Sequence, residues 1–385
     1  MSSRLAHVHP FHVMAILARA QQLTAAGHDV IHMEVGEPDF PTPAPIIEAG
    51  RQALADGKTF YTPALGIPAL REAIAAFYQQ RYGVTVSPRR IAVTTGASGA
   101  LLLTLSALLA AGDSVLLPDP TYPCNRHLVS LLDAEPRSVA VGPETQYQLN
   151  AAHIAAHWQA NTVAAMIASP ANPTGTLICP TELAALYAAV KAQGGQLIVD
   201  EIYHGLTYGM DATTALACAD DIWVINSFSK YFQMTGWRLG WLVIPEAYID
   251  AVERVAQNVF LSAPTPAQYA ALAAFTPQTI VLLEERRQVF HQRRDVLLAA
   301  FSDIGFRFPT QPQGAFYAYA YVSDLCDNSA TLAADLLEHT HVALTPGKDF
   351  GQNGATQHIR LAYTCDEARI RQAAARIGEY LQRQR

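Results

Sequence analysis

Ile222-Trp-Val-Ile-Asn226-Ser-Phe-Ser-Lys230-Tyr-Phe-Gln-Met234-Thr-Gly-Trp-Arg238-Leu-Gly240 sets an apolar run against a polar, glycine-bearing stretch with one lysine and one arginine. Ile222–Asn226 reads as a buried strand and Leu239–Ile244 as another. A lysine at a strand end, behind the small hydroxyl residues Ser227 and Ser229, is poised over a cavity. Once desolvated, its amine can form an imine with an aldehyde. Ser227 and Arg238 offer a hydroxyl and a planar fork of charged donors, a set suited to a phosphate. Taken alone, the segment fits a surface lysine beside a turn better, since lysines are mostly exposed.

Outward from this segment, further apolar runs read as strands at Ile91–Thr95, Ser114–Leu117, Arg137–Val141, Val163–Ala168 and Gln196–Asp200. Most are continuous rather than alternating, the pattern of strands covered on both faces. Helical patterns separate many of them, such as Ala97–Ala111 and Pro180–Gln193. The expected fold is α/β, a mostly parallel seven-stranded sheet between helices, with ligands at the strand ends. Later residues suggest a smaller α+β domain. They comprise one long helix over 267–301, strands at Phe316–Tyr321 and His358–Tyr363, and helices at Ala330–Glu338 and Glu367–Leu381. The expected division is residues 40–285 as a large domain, and 1–39 plus 286–385 as a small one.

Composition narrows the function. The 385 residues are 50% hydrophobic and 15% charged, enough for a sizeable core. Net charge is −7 and no basic block stands out, so a nucleic-acid or membrane-surface role lacks electrostatic support. The five cysteines are scattered and form no Cys-x-x-Cys pair, which argues against a disulfide framework or a metal site. Reduced thiols in a cytoplasm are the expectation. Val13–Leu17 is too short for a signal peptide, and the apolar stretch Ala97–Ala111 is too short and mixed to span a bilayer.

Other motifs supply chemistry. Asp200, in Val199-Asp-Glu-Ile-Tyr203, would project a carboxylate at a strand end; a helix cap is the plainer role for it. Ser169-Pro-Ala-Asn172-Pro-Thr-Gly175 is a turn. In Thr95-Gly96-Ala97-Ser98, the free N–H groups of a helix start attract anions. Tyr122, on a loop after a strand, could stack on a flat ring. Arg360, in His358-Ile-Arg-Leu-Ala-Tyr363, could clamp a carboxylate through two parallel bonds.

In this order, over nearly the whole chain, these motifs resemble those of class I/II aminotransferases, a family of fold-type-I pyridoxal-phosphate enzymes. The lysine segment matches the family's S-x-S-K, spacer, G-x-R-x-G pattern throughout. The resemblance implies pyridoxal 5'-phosphate on Lys230 as a Schiff base. It assigns Asp200 to the pyridine nitrogen, Tyr203 to the phenolic oxygen, and Tyr122 to stacking on the ring. Gly96, Ala97, Ser98, Ser227, Ser229 and Arg238 would surround the phosphate. Asn172 would lie between cofactor and substrate, and Arg360 and Gly36 would take the substrate carboxylate. Tyr61, in Tyr61-Thr-Pro-Ala-Leu-Gly66, would reach the phosphate of a second subunit, giving a homodimer with shared sites. The implied reaction moves an amino group between an amino acid and a 2-oxo acid, with Lys230, Asp200 and Tyr203 as the catalytic set and no metal.

A β-eliminating carbon–sulfur lyase shares the same motifs and is the alternative. A DNA-binding regulator has no room ahead of residue 36, and Thr95–Ala100 lacks the G-x-G-x-x-G turn of a nicotinamide enzyme. Cys124-Asn-Arg126 departs from the family's Tyr-rich pattern. An acidic substrate would call for another cation, for which Arg19, Arg126 and Arg286 are candidates. Residues 10–20, Phe11 and His12 among them, are expected to line the pocket.

Overall fold

The computed structural model describes Leu5, Ala6, Val8 and residues 12–384; Phe11 lies outside them. Seven strands form one sheet: β1 (Ile91–Thr94), β2 (Ser114–Asp119), β3 (Glu135–Ala140), β4 (Thr162–Ala168), β5 (Gln196–Asp200), β6 (Trp223–Ser227) and β7 (Gly240–Val243). Their spatial order is β1-β7-β6-β5-β4-β2-β3. Only β7 runs antiparallel to its neighbours, β1 and β6. The C-terminal ends of β1, β2, β4, β5 and β6 therefore share one edge, where β7 begins.

Alternation along the strands explains the continuous apolar runs. Leu197 and Val199 face one apolar cluster while Ile198 faces the other. Val115 and Leu117 likewise face away from Leu116. Each fully buried side chain of this type contributes about 1.5–3 kcal/mol. Edge strand β3 is the exception, mostly exposed or half-buried as an edge allows. Helix Gly96–Leu108 covers β6 and β7 on the second face.

A second, three-stranded antiparallel sheet pairs His358–Ala362 with Tyr317–Tyr321 on one side and Thr345–Pro346 on the other. Ile31–His32 pairs with Val342–Ala343. Helices Ser329–Thr340 and Glu367–Gln384 pack together beside these strands. The single helix expected over 267–301 is instead two, Thr265–Leu272 and Pro277–Ser302, joined by a 3-10 turn. Pro277 has no N–H to continue the first helix, and Thr276 caps the second by accepting from the Thr279 N–H. Pro277–Ser302 runs across the expected domain division at 285.

Two glycines record how closely these parts approach. A Cβ on Gly351 would lie 1.7 Å from an Asp119 carboxylate oxygen. Asp119, at the end of β2, accepts from the N–H groups of Gln352 and Asn353, fastening the 346–353 loop to the main sheet. A Cβ on Gly240 would meet backbone atoms of Gly96, Ala97 and Asn226 within 2.9 Å, so no side chain fits at the start of β7.

Glu201, just after β5, is fully buried and accepts from the Thr214 hydroxyl and the Ala215 N–H. Burial pushes its carboxyl up to about 8, against a pull downward from those hydrogen bonds. The unfolded chain releases this proton near pH ~4.3, and the folded chain holds it until about 8. Its contribution to stability is full below the unfolded value and is lost as pH rises between the two. Denaturation midpoints of the protein and of Glu201→Gln between pH 5 and 9 should show this. The unaltered protein should lose stability relative to the variant as pH rises; parallel curves would refute the shift.

Candidate active site

The strand edge holds a cavity of about 310 Å³. Lys230, three residues past β6, places its amine there and donates to the Gly36 carbonyl oxygen at 2.6 Å. Burial pushes this amine down to about 8; Glu37 opposes the shift, and the positive charges of Arg360 and Arg238 add to it. The preceding turn is closed by its own hydroxyls. Ser227 donates to Ser229 Oγ and accepts from the Ser229 N–H. Ser229 lines the cavity, whereas Ser227 is spent on the turn and on the Leu239 carbonyl.

Asp200, the last residue of β5, also lines the cavity and accepts from the Ile202 N–H at 3.0 Å. Burial pushes its carboxyl up to about 6, opposed by that N–H and by Lys230. Tyr203 follows in the turn and shares a hydrogen bond with the Tyr317 hydroxyl at 2.9 Å. Burial pushes the Tyr203 phenol well above the ordinary range. Tyr122, just before helix Pro123–Leu131, contributes its ring to the lining.

Arg238 adopts a left-handed φ of 53° and donates to the Thr235 carbonyl at 2.8 Å. That conformation costs a non-glycine residue about 1–3 kcal/mol. It turns the guanidinium onto the first turn of helix Gly96–Leu108, where a Cβ on Gly96 would sit 2.8 Å from Arg238 Nη2. Gly96 itself has φ +73°, so glycine is required twice over. Ala97 and Ser98 of this turn line the cavity, and first-turn N–H groups have no partner within the helix.

Arg360 enters from the smaller sheet and is buried. It donates to Asn172 Oδ1 at 3.0 Å and to the Glu34 carbonyl oxygen. Its guanidinium stacks on Tyr317, 4.3 Å from the ring centre, and on Phe350 at 4.8 Å. Among the described residues Arg360 has no carboxylate partner, and its buried Nε has no hydrogen-bond partner. A buried, incompletely satisfied cation is primed for an anion. Gly36 is a glycine because a Cβ there would overlap the Tyr317 hydroxyl at 1.7 Å. Gly175 packs its own open Cα against Pro312 and the Tyr317 carbonyl, fixing the turn that carries Asn172.

Residues 28–377 match the family described as aminotransferase class I and II. The valine–pyruvate aminotransferase of Mycobacterium tuberculosis is 39% identical over 98% of this chain and 97% of its own. The chain belongs to the class I and II aminotransferases. Its cofactor is accordingly pyridoxal phosphate, and its reaction is transfer of an amino group between an amino acid and a 2-oxo acid. A (5-formylfuran-3-yl)methyl phosphate transaminase of Methanocaldococcus jannaschii is 36% identical, with 99% of both chains covered. The Thermus thermophilus aspartate aminotransferase structure with maleate superimposes with a TM-score of 0.93, at 33% identity over 98% of this chain and 99% of that one.

The residues present fit this cofactor. The Gly96 cradle, the Arg238 guanidinium, the open helix N–H groups and two hydroxyls suit a phosphate. A carboxyl, a ring and a primary amine line the same cavity. Tyr61 lies apart, on the surface and 82% exposed.

Several lining residues escaped the sequence. Tyr317 is one; the Tyr317-Ala-Tyr-Ala-Tyr321 alternation, which sends all three rings to one face, is the signal that could have found it. Glu37, Thr235 and Ile202 carry no such signal. Val13 and Met14 lie within the expected 10–20 stretch, whereas His12 is not in the lining. Among the described residues no helix is long and apolar enough to cross a membrane, and no group of three potential metal ligands gathers.

The depressed amine has a direct consequence. In cofactor-free protein, an amine-selective reagent at pH 8 should modify Lys230 ahead of the chain's other three lysines, as read by peptide mass spectrometry. Equal labelling of all four would contradict the geometry.

Proposed function

We propose that Lys230 is both the covalent anchor of the cofactor and the base that moves a proton at the substrate Cα. Supporting this is the depressed amine, whose value near 8 leaves a minor fraction unprotonated at neutral pH and more as pH rises, in one cavity with Asp200 and Arg360. When bound, pyridoxal phosphate supplies an aldehyde that condenses with amines and a ring that takes up electron density. Lys230 Nζ would hold the cofactor through its aldehyde and, when free, would be the base in this cavity that takes the substrate Cα proton. Asp200 would face the ring nitrogen and accept from its N–H; a positive charge there would favour the charged form of this buried carboxyl. Tyr203 donates to the phenolic oxygen. Gly96, Ala97, Ser98, Ser229 and Arg238 hold the phosphate, Ser227 shapes that loop, and Tyr122 covers the ring. Arg360 and Asn172 orient the substrate carboxylate, with the Gly36 backbone beside them.

The active unit is proposed to be a homodimer. Phe60 and Tyr61 are each 82% exposed, and the Phe60 carbonyl is held by the Thr265 hydroxyl. Large rings fixed in water are suited to a partner surface. The five free cysteines suit a cytoplasmic location.

Purified protein should be yellow, and borohydride should fix the cofactor to Lys230. Lys230→Ala should be colourless after dialysis; an imine still forming in it would sink the assignment. Stoichiometric amino exchange, rather than release of pyruvate and ammonia, separates transfer from β-elimination.

Arg360→Lys replaces a fork with a point charge. Loss of one charge-assisted bond, about 1.5–3 kcal/mol, should raise the amino-acid KM roughly ten- to a hundredfold. An unchanged KM would remove Arg360 from the carboxylate site.

A further inference from the structure

The names of the relatives disagree about substrate, so kinship alone does not say which side chain this site takes. The cavity does. Three cations line it, Lys230, Arg238 and Arg360, and the function above employs all three. The arginines available for a second substrate carboxylate are committed elsewhere. Arg19 pairs with Glu338 at 2.6 Å on the outer surface. Arg126 donates to the Asp349 carbonyl at 2.7 Å. Arg286 donates to the Pro41 carbonyl at 2.7 Å and to Gln233. None of them is in the lining, and no fourth cation is found there among the described residues. Glu37 is in the lining, and its charge opposes an acidic side chain. The remaining surface is mainly apolar, including Val13, Met14, Val35 and Ile202.

Val13 and Met14 belong to helix His12–Ala25, whose seat is unusual. Its first N–H groups are capped by a side chain from far along the chain. The His12 and Val13 N–H groups donate to the two carboxylate oxygens of Asp349 at 3.0 and 2.8 Å. A carboxylate at a helix start satisfies orphan donors and opposes the positive end of the dipole. Asp349 is itself fixed. It lies in Pro346-Gly-Lys-Asp-Phe350-Gly351, the loop fastened to β2 through Asp119, and Arg126 grips its carbonyl. The loop thus seats the helix as well as turning the chain.

We propose that helix His12–Ala25, seated by Asp349, is the wall that selects amino acids with an uncharged apolar side chain. This rests on the aminotransferase function above. Asp349 is a positioning residue, acting through Val13 and Met14, and touches neither cofactor nor substrate. An apolar side chain gains by covering the wall and losing water, whereas a carboxylate there would be desolvated without a partner.

The test is a half-reaction screen on holoenzyme, following loss of the imine absorbance. Leucine, valine and methionine should react with kcat/KM at least tenfold above aspartate and glutamate. Aspartate reacting as well as leucine would overturn the proposal, since a cation from outside this chain would then reach the site. Failure of every amino acid would instead strike at the aminotransferase function itself.

The positioning role is read separately. Asp349→Ala should lower the leucine-to-alanine ratio of kcat/KM about tenfold, through KM rather than kcat, and Asp349→Asn, which keeps one acceptor, should recover part of it. An unchanged ratio, or equal losses on both substrates with imine absorbance and melting temperature intact, would refute the latch. Should Asp349→Ala fail to fold, at least one of Val13→Ala and Met14→Ala must lower the same ratio; if neither does, the wall is refuted.

Discussion

The site is organised around a buried guanidinium that has no carboxylate of its own. Arg360 is held by Asn172 from the main sheet and by the Glu34 carbonyl from the N-terminal segment, while it stands on a strand of the smaller sheet. Three parts of the chain far apart in sequence thus converge on one cation. Leaving that cation short of an anion costs folding free energy, and the cost is recovered when a carboxylate arrives. The stacking rings of Tyr317 and Phe350 hold the fork in place without neutralising it.

The same economy governs the other charged groups. Burial moves the Lys230 amine down and the Asp200 carboxyl up, toward each other's range and toward neutrality. Groups so shifted exchange protons at little free-energy cost near neutral pH. The main sheet makes this possible, because five strand ends on one edge deliver the lysine, the carboxyl, the aromatic ring, the asparagine and the helix start to one cavity.

The large sheet was legible because two-sided burial writes itself as unbroken apolar runs. All seven strands lie where those runs do, shifted by a residue or two at their ends. The site residues near Lys230 were legible because strand-end motifs carry unusual residue types. What stayed hidden depends on contacts between distant segments. The break at Thr276–Pro277 was masked by helix formers on both sides, although Pro277 was there to be weighed. Tyr317 sat inside a strand that was recognised while the direction of its rings was not. The commitments of Arg19, Arg126 and Arg286 are set by folding alone, since an arginine's partner is no property of its neighbours in sequence.

The cap on helix His12–Ala25 also imposes an order on assembly. Asp349 follows His12 by 337 residues. During synthesis the helix emerges 337 residues ahead of its anchor, with its first N–H groups met only by water until then. The main sheet can form from residues made in between. The substrate wall is therefore among the last parts to lock, and until the 346–353 loop docks on Asp119 a nascent chain would have its catalytic edge in place but no selectivity.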